Sequence, residues 1–417
     1  MTLPNRAAVS RREYLKAAVA VGGTTGLSAC LQELDSDDRD VPTGDPGTRP
    51  DRQHAWNDVL AVDDYGHIQP PAHHVVLAVD LVGRPDSAAR EQVETAFESL
   101  ERAYAYDPAG LLFTVGYGPS YFETAGVDSP IPEPEALTGS ESPELDRFDG
   151  LIHFASDDPS VVLEAEEALF GELEEPNGVA MEATLSGVFE RTEPRRTGFV
   201  GEGLPAQFAD EIGGVPEEMP DDAPFFMGFK SGFPNSQAPE GRVTIQEGPY
   251  AGGTTTHIES LDIQLGTWFE QDDHFLRVAQ MFSPDHAKNE RVPDIGDELG
   301  STTEIEQQVD RTAADARSEG IVGHAQKAAR ARDEDGTPPL LRRDFNTVDN
   351  EFPGLHFLSH QRSIAEFIRV REAMAGEDLA GSGVGQSHNN GILQYIFVNR
   401  RGNFIVPPRD KRALPDE

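Results

Sequence analysis

His73-His74-Val75-Val76-Leu77-Ala78-Val79-Asp80-Leu81 is a run of apolar and β-branched residues that reads as a strand. The segments after this strand set the topology. Pro85-Asp86-Ser87 opens a helix with Ser87 as the expected N-cap. Apolar or small residues then recur at Val93, Ala96, Phe97, Leu100 and Ala103, the spacing of one helix face. A second strand is read at 111–117 (LLFTVGY), followed by a Pro-rich acidic loop over about 127–146. A third strand is read at 150–155, a helix begins at Asp158-Pro159-Ser160, and 183–190 reads as a fourth strand. The order strand–helix–strand–strand–helix–strand is the split βαβ pattern of a ferredoxin-like unit. It calls for an antiparallel sheet with two helices on one face.

Towards the C-terminus, the stretch 202–224 is rich in Gly, Pro and carboxylates and reads as a boundary. Beyond it lies a second α+β half, with strands expected over 253–265 and 392–398 and helices over 304–331 and 363–374. The expected fold class is therefore α+β, with an N-terminal half at 65–220 and a C-terminal half at 221–417. Two halves suit 417 residues at ~150 residues per domain.

Towards the N-terminus, Ser10-Arg11-Arg12-Glu13-Tyr14-Leu15-Lys16 forms a twin-arginine pattern, and 17–29 is an apolar, small-residue stretch. That stretch falls short of the ~20 apolar residues a membrane span needs. It ends in Leu27-Ser28-Ala29-Cys30, an order that resembles the lipobox of exported lipoproteins. Residues 1–30 are thus read as an export signal, with lipid attached at Cys30 and the chain anchored but not spanning. The twin-arginine route carries proteins already folded, often with a cofactor in place. Residues 31–60, with LDSDDRDVPTGDPGTRPDR at 34–52, are read as an acidic disordered tether.

Cys30 is the only cysteine, which excludes internal disulfides and thiolate clusters. Lys+Arg number 34 against 74 Asp+Glu, a formal net charge of -40. Such a surface repels phosphate backbones and excludes nucleic acid as a partner. Lysine is confined to Lys16, Lys230, Lys288, Lys327 and Lys411. Acid-rich, lysine-poor composition is that of a protein kept hydrated and screened at molar salt, a halophilic signature.

The second half carries a set of motifs in order. Phe226-Met227-Gly228-Phe229-Lys230-Ser231-Gly232-Phe233 resembles the Gly-Phe-x-Asp-Gly segment of dye-decolorising peroxidases. Gly252–Ile258 resembles the family's next strand, His324 the haem-ligand histidine, and Arg342 in Leu340-Leu341-Arg342-Arg343 the distal arginine. Gly354-Leu355-His356-Phe357 and Gly402–Pro408 resemble the closing segments, and 111–118 and 149–158 extend the resemblance through the first half.

The resemblance implies two ferredoxin-like halves in a dimeric α+β barrel-type architecture, with haem b in the C-terminal half. It implies that hydrogen peroxide and an electron donor are the reactants. Gly228, Phe229, Gly232 and Phe357 would border the haem, His324 would ligate its iron, and Arg342 and Ser231 would face the peroxide. A neutral imidazole is an ordinary axial ligand to haem iron, and the small Ala325 and Ala328 would let a flat ring approach. Arg342 would hold a fixed positive charge where oxygen becomes anionic, but it cannot act as a base. Ser231 departs from the pattern, because a serine stands where the family has its aspartate, and a hydroxyl is a poor base unassisted. This departure opens an alternative: a haem-binding or iron-handling lipoprotein with weak peroxide chemistry. Trp268 and Tyr395 are electron-relay candidates by residue type only. Homo-oligomerisation is a further expectation.

Overall fold

The computed structural model describes residues 40–139, 141–207, 219–294, 299–350, 352–381 and 383–416. The twin-arginine stretch and Cys30 lie outside the described residues.

A short ribbon of β1 (Ala61–Val62) and β2 (Ile68–Gln69) precedes the main body. In the first half, β3 (His73–Leu81), α1 (Ser87–Ala103), β4 (Leu112–Tyr117), α2 (Pro119–Ala125), β5 (Glu144–Leu145), β6 (Gly150–Ser156), α3 (Pro159–Leu169) and β7 (Phe189–Phe199) come in that order. The strands lie side by side as β7-β3-β6-β4, all antiparallel. The second half contains β8 (Thr254–Ile263), α4 (His274–Met281), α5 (His324–Ala328), β9 (Leu341–Arg342), β10 (Phe345–Thr347), β11 (Gly354–Gln361), α6 (Ile364–Ala375) and β12 (Ile396–Val406). Its strands lie as β12-β8-β11-β9.

Both halves therefore use the order fourth, first, third, second. β4 and β12 join them at Ile405↔Tyr117, and β10 pairs with both β7 and β11, closing the far side. β5 runs parallel to β12, so the sheet is mixed.

The inner side of this closed sheet holds Val76, Ala78, Leu151, Ile258, Leu358 and Phe404. It also holds histidines. His74 Nδ1 lies 2.9 Å from His153 Nε2, and His360 Nδ1 lies 2.9 Å from Thr256 Oγ1. On the outer side of the first half, α1 and α3 press Val93, Phe97, Leu100, Val161, Ala165 and Leu169 against the sheet, all fully buried. Each such side chain stabilises the fold by about 1.5–3 kcal/mol for the larger apolar types.

Several elements differ from expectation. The α1 N-cap is Asp86, whose carboxylate accepts from Ala89 N at 2.8 Å. The fourth strand runs 189–199 rather than 183–190. Its arginines are neutralised in place: Arg195 by Glu166 at 2.8 Å, and the buried Arg196 by Asp146 at 2.5 Å. The helix expected over 304–331 is broken into a 3-10 turn, a helix Thr312–Ser318 and α5. The break comes at Gly320, which takes a positive φ of 69°, and at the bridge Val322↔Asn390. The last strand starts at Ile396, not 392. Residues 40–60, expected within a disordered tether, are packed instead, with Trp56 and His54 fully buried. Gln53 Nε2 donates to the carbonyls of Val115 and Pro407, and Arg49 Nη2 to that of Tyr104 at 2.7 Å.

Candidate functional site

Outside the second half's sheet the cover does not press down. Between them lies a cavity of about 1030 Å3. One wall is sheet: Leu261 and Ile263 of β8, Leu355 and Phe357 of β11, Ile396 and Val398 of β12. The opposite wall is helical, with His324, Ala325 and Ala328 of α5 and Phe367, Val370 and Met374 of α6. A third side is the segment 225–233, which contributes Phe226, Met227, Phe229, Ser231 and Phe233.

This third side is shaped by Gly228 and Gly232, both with φ of 81°, a left-handed conformation that glycine adopts without penalty. Neither glycine itself lines the cavity, whereas the Phe229 and Ser231 they present do. Ser231 makes no hydrogen bond with the described residues.

His324 is placed by a close approach. A Cβ on Gly323 would lie 1.7 Å from Phe282 O, so only glycine lets α5 start there. The His324 imidazole lines the cavity and makes no hydrogen bond with the described residues. Burial lowers its pKa to about 3, helped by the charges of Lys327, Arg342 and Arg371. The ring is therefore neutral at ordinary pH, with a lone pair available. Lys327, one turn on, is lowered to about 7 by burial and then by Arg371 and Arg330. Among the described residues its ammonium donates only to neutral acceptors, Met374 O and both oxygens of Asn390.

Arg342 lies on β9 and lines the cavity; Arg343 turns to the other side of the sheet, where its Nη2 donates to Asn57 Oδ1 at 2.6 Å. Arg332 also lines the cavity. Neither the Arg332 nor the Arg342 guanidinium pairs with a carboxylate among the described residues. Glu306 acts on Arg332 only from beyond ion-pair distance, so two half-buried cavity arginines with no carboxylate paired to them among the described residues suit an external anion. Two other cavity carboxylates are already committed. Glu259 pairs with Arg401 at 2.5 Å, and Glu141 with Arg401 at 2.7 Å and Arg371 at 2.9 Å. Burial would raise the Glu259 carboxyl, but His257 and Arg401 bring it down to about 2.

Three features were not anticipated: Arg332, Asp344 and Asn346 all face the cavity. The signal available for the last two was the alternation Arg342-x-Asp344-x-Asn346, which puts three polar side chains on one face of an extended segment. Trp268 and Tyr395 are both fully buried, with ring centroids 5.0 Å apart. Trp268 Nε1 donates to Met227 O at 3.0 Å, and its ring lies 6.3 Å from that of Phe229.

No group of three or more His, Cys, Asp or Glu among the described residues is placed to hold a metal ion. The chain thus offers a metal in this cavity a single imidazole, and the remaining ligands must come from elsewhere. A large flat apolar group with its own metal and its own carboxylates fits these walls. Alanines face it on one side, a neutral imidazole is available, and two arginines form no ion pair among the described residues.

The fold has solved counterparts. The chain is similar to a DypB variant from Rhodococcus jostii RHA1 in complex with heme, at 14% identity and a TM-score of 0.54, over 83% of this chain and 96% of that one. It is similar to the encapsulated DyP-type peroxidase from Mycobacterium smegmatis (14%, 0.54, 90% and 99%) and to a DyP-type peroxidase from Cellulomonas bogoriensis (19%, 0.53, 85% and 95%). At these identities the likeness establishes the mixed α+β fold and nothing about activity. No curated protein matches the chain. Residues 71–408 match a family of unknown function (DUF7405), and the chain belongs to that family.

Proposed function

We propose that the protein is a haem-dependent, peroxidase-like oxidoreductase that acts with hydrogen peroxide on a reducing substrate outside the cytoplasm. The observation that carries this reading is His324: a neutral imidazole with no hydrogen-bond partner among the described residues, facing a large apolar cavity. The repeated strand order is read as two ferredoxin-like halves, at 65–220 and 221–417, with haem b in the second. His324 would give one imidazole nitrogen to the iron. Arg332 is suited to a haem carboxylate at the cavity edge. Haem iron, when bound, supplies the redox centre at which the peroxide O–O bond is reduced. Arg342 would hold its positive charge against the oxygen that becomes anionic, and stabilisation of that kind is commonly worth ~10²-fold or more in rate. Phe229 and Phe357 would give the reacting groups apolar walls.

The test is an absorption spectrum of protein produced with haem available, beside His324→Ala. A haem band in the wild type, lost or altered in the variant, supports the reading. A wild type without haem overturns it. A second reading, a haem-binding or iron-handling lipoprotein, is favoured by Ser231. It predicts bound haem with slow peroxide turnover.

We further propose export by the twin-arginine route and a lipid anchor at Cys30 on the outer face of the membrane, from the motifs at 10–16 and 27–30. Cys30→Ser should release the protein to the medium, and unchanged membrane retention would remove the anchor.

A further inference from the structure

Among the carboxylates lining the cavity, Glu141 and Glu259 are locked in ion pairs and Glu377 is exposed at the rim. Asp344 differs from all three. It is half-buried, lines the cavity, and makes no hydrogen bond or ion pair with the described residues. The chain brings it there by alternation. Arg343 and Phe345 turn inward to Trp56 and His74, so Arg342, Asp344 and Asn346 turn to the cavity.

A second observation points at the same spot. Asn346 is only 1% exposed, yet its Oδ1 and its Nδ2 both lack a partner among the described residues. A buried amide with neither end satisfied is costly, and it marks a place where a polar molecule completes the bonding. The segment thus presents a cation, an uncommitted carboxylate and an uncommitted amide to one volume. Ser231 faces that volume too, without a carboxylate.

We propose that Asp344 is the acid–base residue of this cavity, moving the peroxide proton that Ser231 cannot, with Asn346 holding the peroxide by its amide. The proposal rests on the peroxidase-like reading. Hydrogen peroxide, two protons and two electrons give two waters, and the electrons come from the reducing substrate. Within that balance Asp344 accepts a proton from one peroxide oxygen and returns it to the other. That oxygen leaves as water when the O–O bond breaks, and Asp344 ends as the carboxylate it began as. Arg342 cannot substitute, because a guanidinium stays protonated.

The experiment uses haem-loaded protein and two readouts: the rate of reaction with hydrogen peroxide and the association rate of cyanide across pH. Hydrogen cyanide must also shed a proton to bind as the anion, so it reports the base without turnover. Asp344→Asn breaks no hydrogen bond or ion pair among the described residues, and its haem content and circular dichroism should match the wild type. Both rates should fall by ~10²–10⁴-fold. Asp344→Glu should stay within about tenfold of wild type, and adding Ser231→Asp to Asp344→Asn should recover much of the loss. If Asp344→Asn changes neither rate, or slows peroxide but not cyanide, Asp344 is not the base. If the wild type takes up no haem, the peroxidase-like reading falls first and this proposal with it, and the absent haem band tells the two failures apart.

Discussion

The two halves share a strand order and differ in what lies on the outer face. In the first half, the crossover after β3 is a single 17-residue helix, α1, and α1 and α3 pack their apolar faces directly on the sheet. In the second, the crossover after β8 runs from 264 to 340 as several short helical pieces, none longer than eight residues among those described. Those pieces pack on one another, with Phe282, Trp268, Ile305 and Ala329 in one cluster that meets the sheet at Ile263 and leaves the cavity beside that contact. The same sheet thus supports a closed core when one long amphipathic helix lies along it. It supports a cavity when the covering chain is cut into short lengths by glycines such as Gly320 and Gly323. The first half carries an apolar core on this face, and the second half carries the cavity.

That contrast can be broken most forcefully at His324. His324→Ala should lose the haem or alter its spectrum while leaving the circular dichroism of the whole chain unchanged, because the side chain makes no hydrogen bond with the described residues. A collapse of the fold would mean that the open half depends on this side chain structurally.

Acid is the next largest effect, and it tests whether the halves are independent. His54 and His74 are held down to about 3, chiefly by burial, and burial pushes His153 and His360 down too. An unfolded histidine protonates near 6.5, so between about 6.5 and 3 the unfolded chain binds more protons. Stability is complete above about 6.5 and is lost as pH falls, at about 1.4 kcal/mol per pH unit for each such histidine. Because these rings sit inside the closed sheet that both halves share, acid should unfold both together. Two separate acid transitions would contradict a shared interior.

Leucine truncation compares the outer faces directly. Leu100→Ala, in the filled half, should cost ~2–5 kcal/mol in denaturant unfolding. Leu355→Ala, whose side chain already borders open volume, should cost about 1 kcal/mol in haem-free protein. Equal costs would mean the cavity closes in the absence of ligand. The smallest effect is expected from salt. With a formal charge of -40 spread over both halves, the melting temperature should fall between molar and millimolar salt. No fall would remove the halophilic reading.

The parts of this fold that sequence reveals are those where burial is apolar and periodic. β3 and the face of α1 are visible because Val75–Val79 and Val93, Phe97 and Leu100 are buried by their own chemistry. β7 is not, because FERTEPRRTGF carries five charges and is held in the sheet by pairing them with Glu166 and Asp146. Residues 40–60 look like tether by composition. Their anchors, Arg49 and Gln53, bond to backbone carbonyls, which composition does not register. At the site, His324, Arg342, Ser231, Phe229 and Phe357 stand out through the family resemblance and do converge on one cavity. Asp344 reads in sequence as a salt-bridge partner for its arginine neighbours. Only the direction each side chain takes separates Arg342 and Asp344 from Arg343.

The residues after β12 fold back onto the first half. Tyr117 Oη donates to Arg412 O, 295 positions away, and Tyr121 Oη donates to Pro415 O at 2.7 Å. Leu414 is fully buried in the first half's own core, and Arg412 and Arg409 both grip Glu101 of α1. On the ribosome, the first half is therefore finished last. Its strands and helices emerge early, but its core stays open until residues 409–415 have been made and can dock. A nascent chain stalled anywhere in the second half should therefore present an unsealed first half to chaperones and proteases.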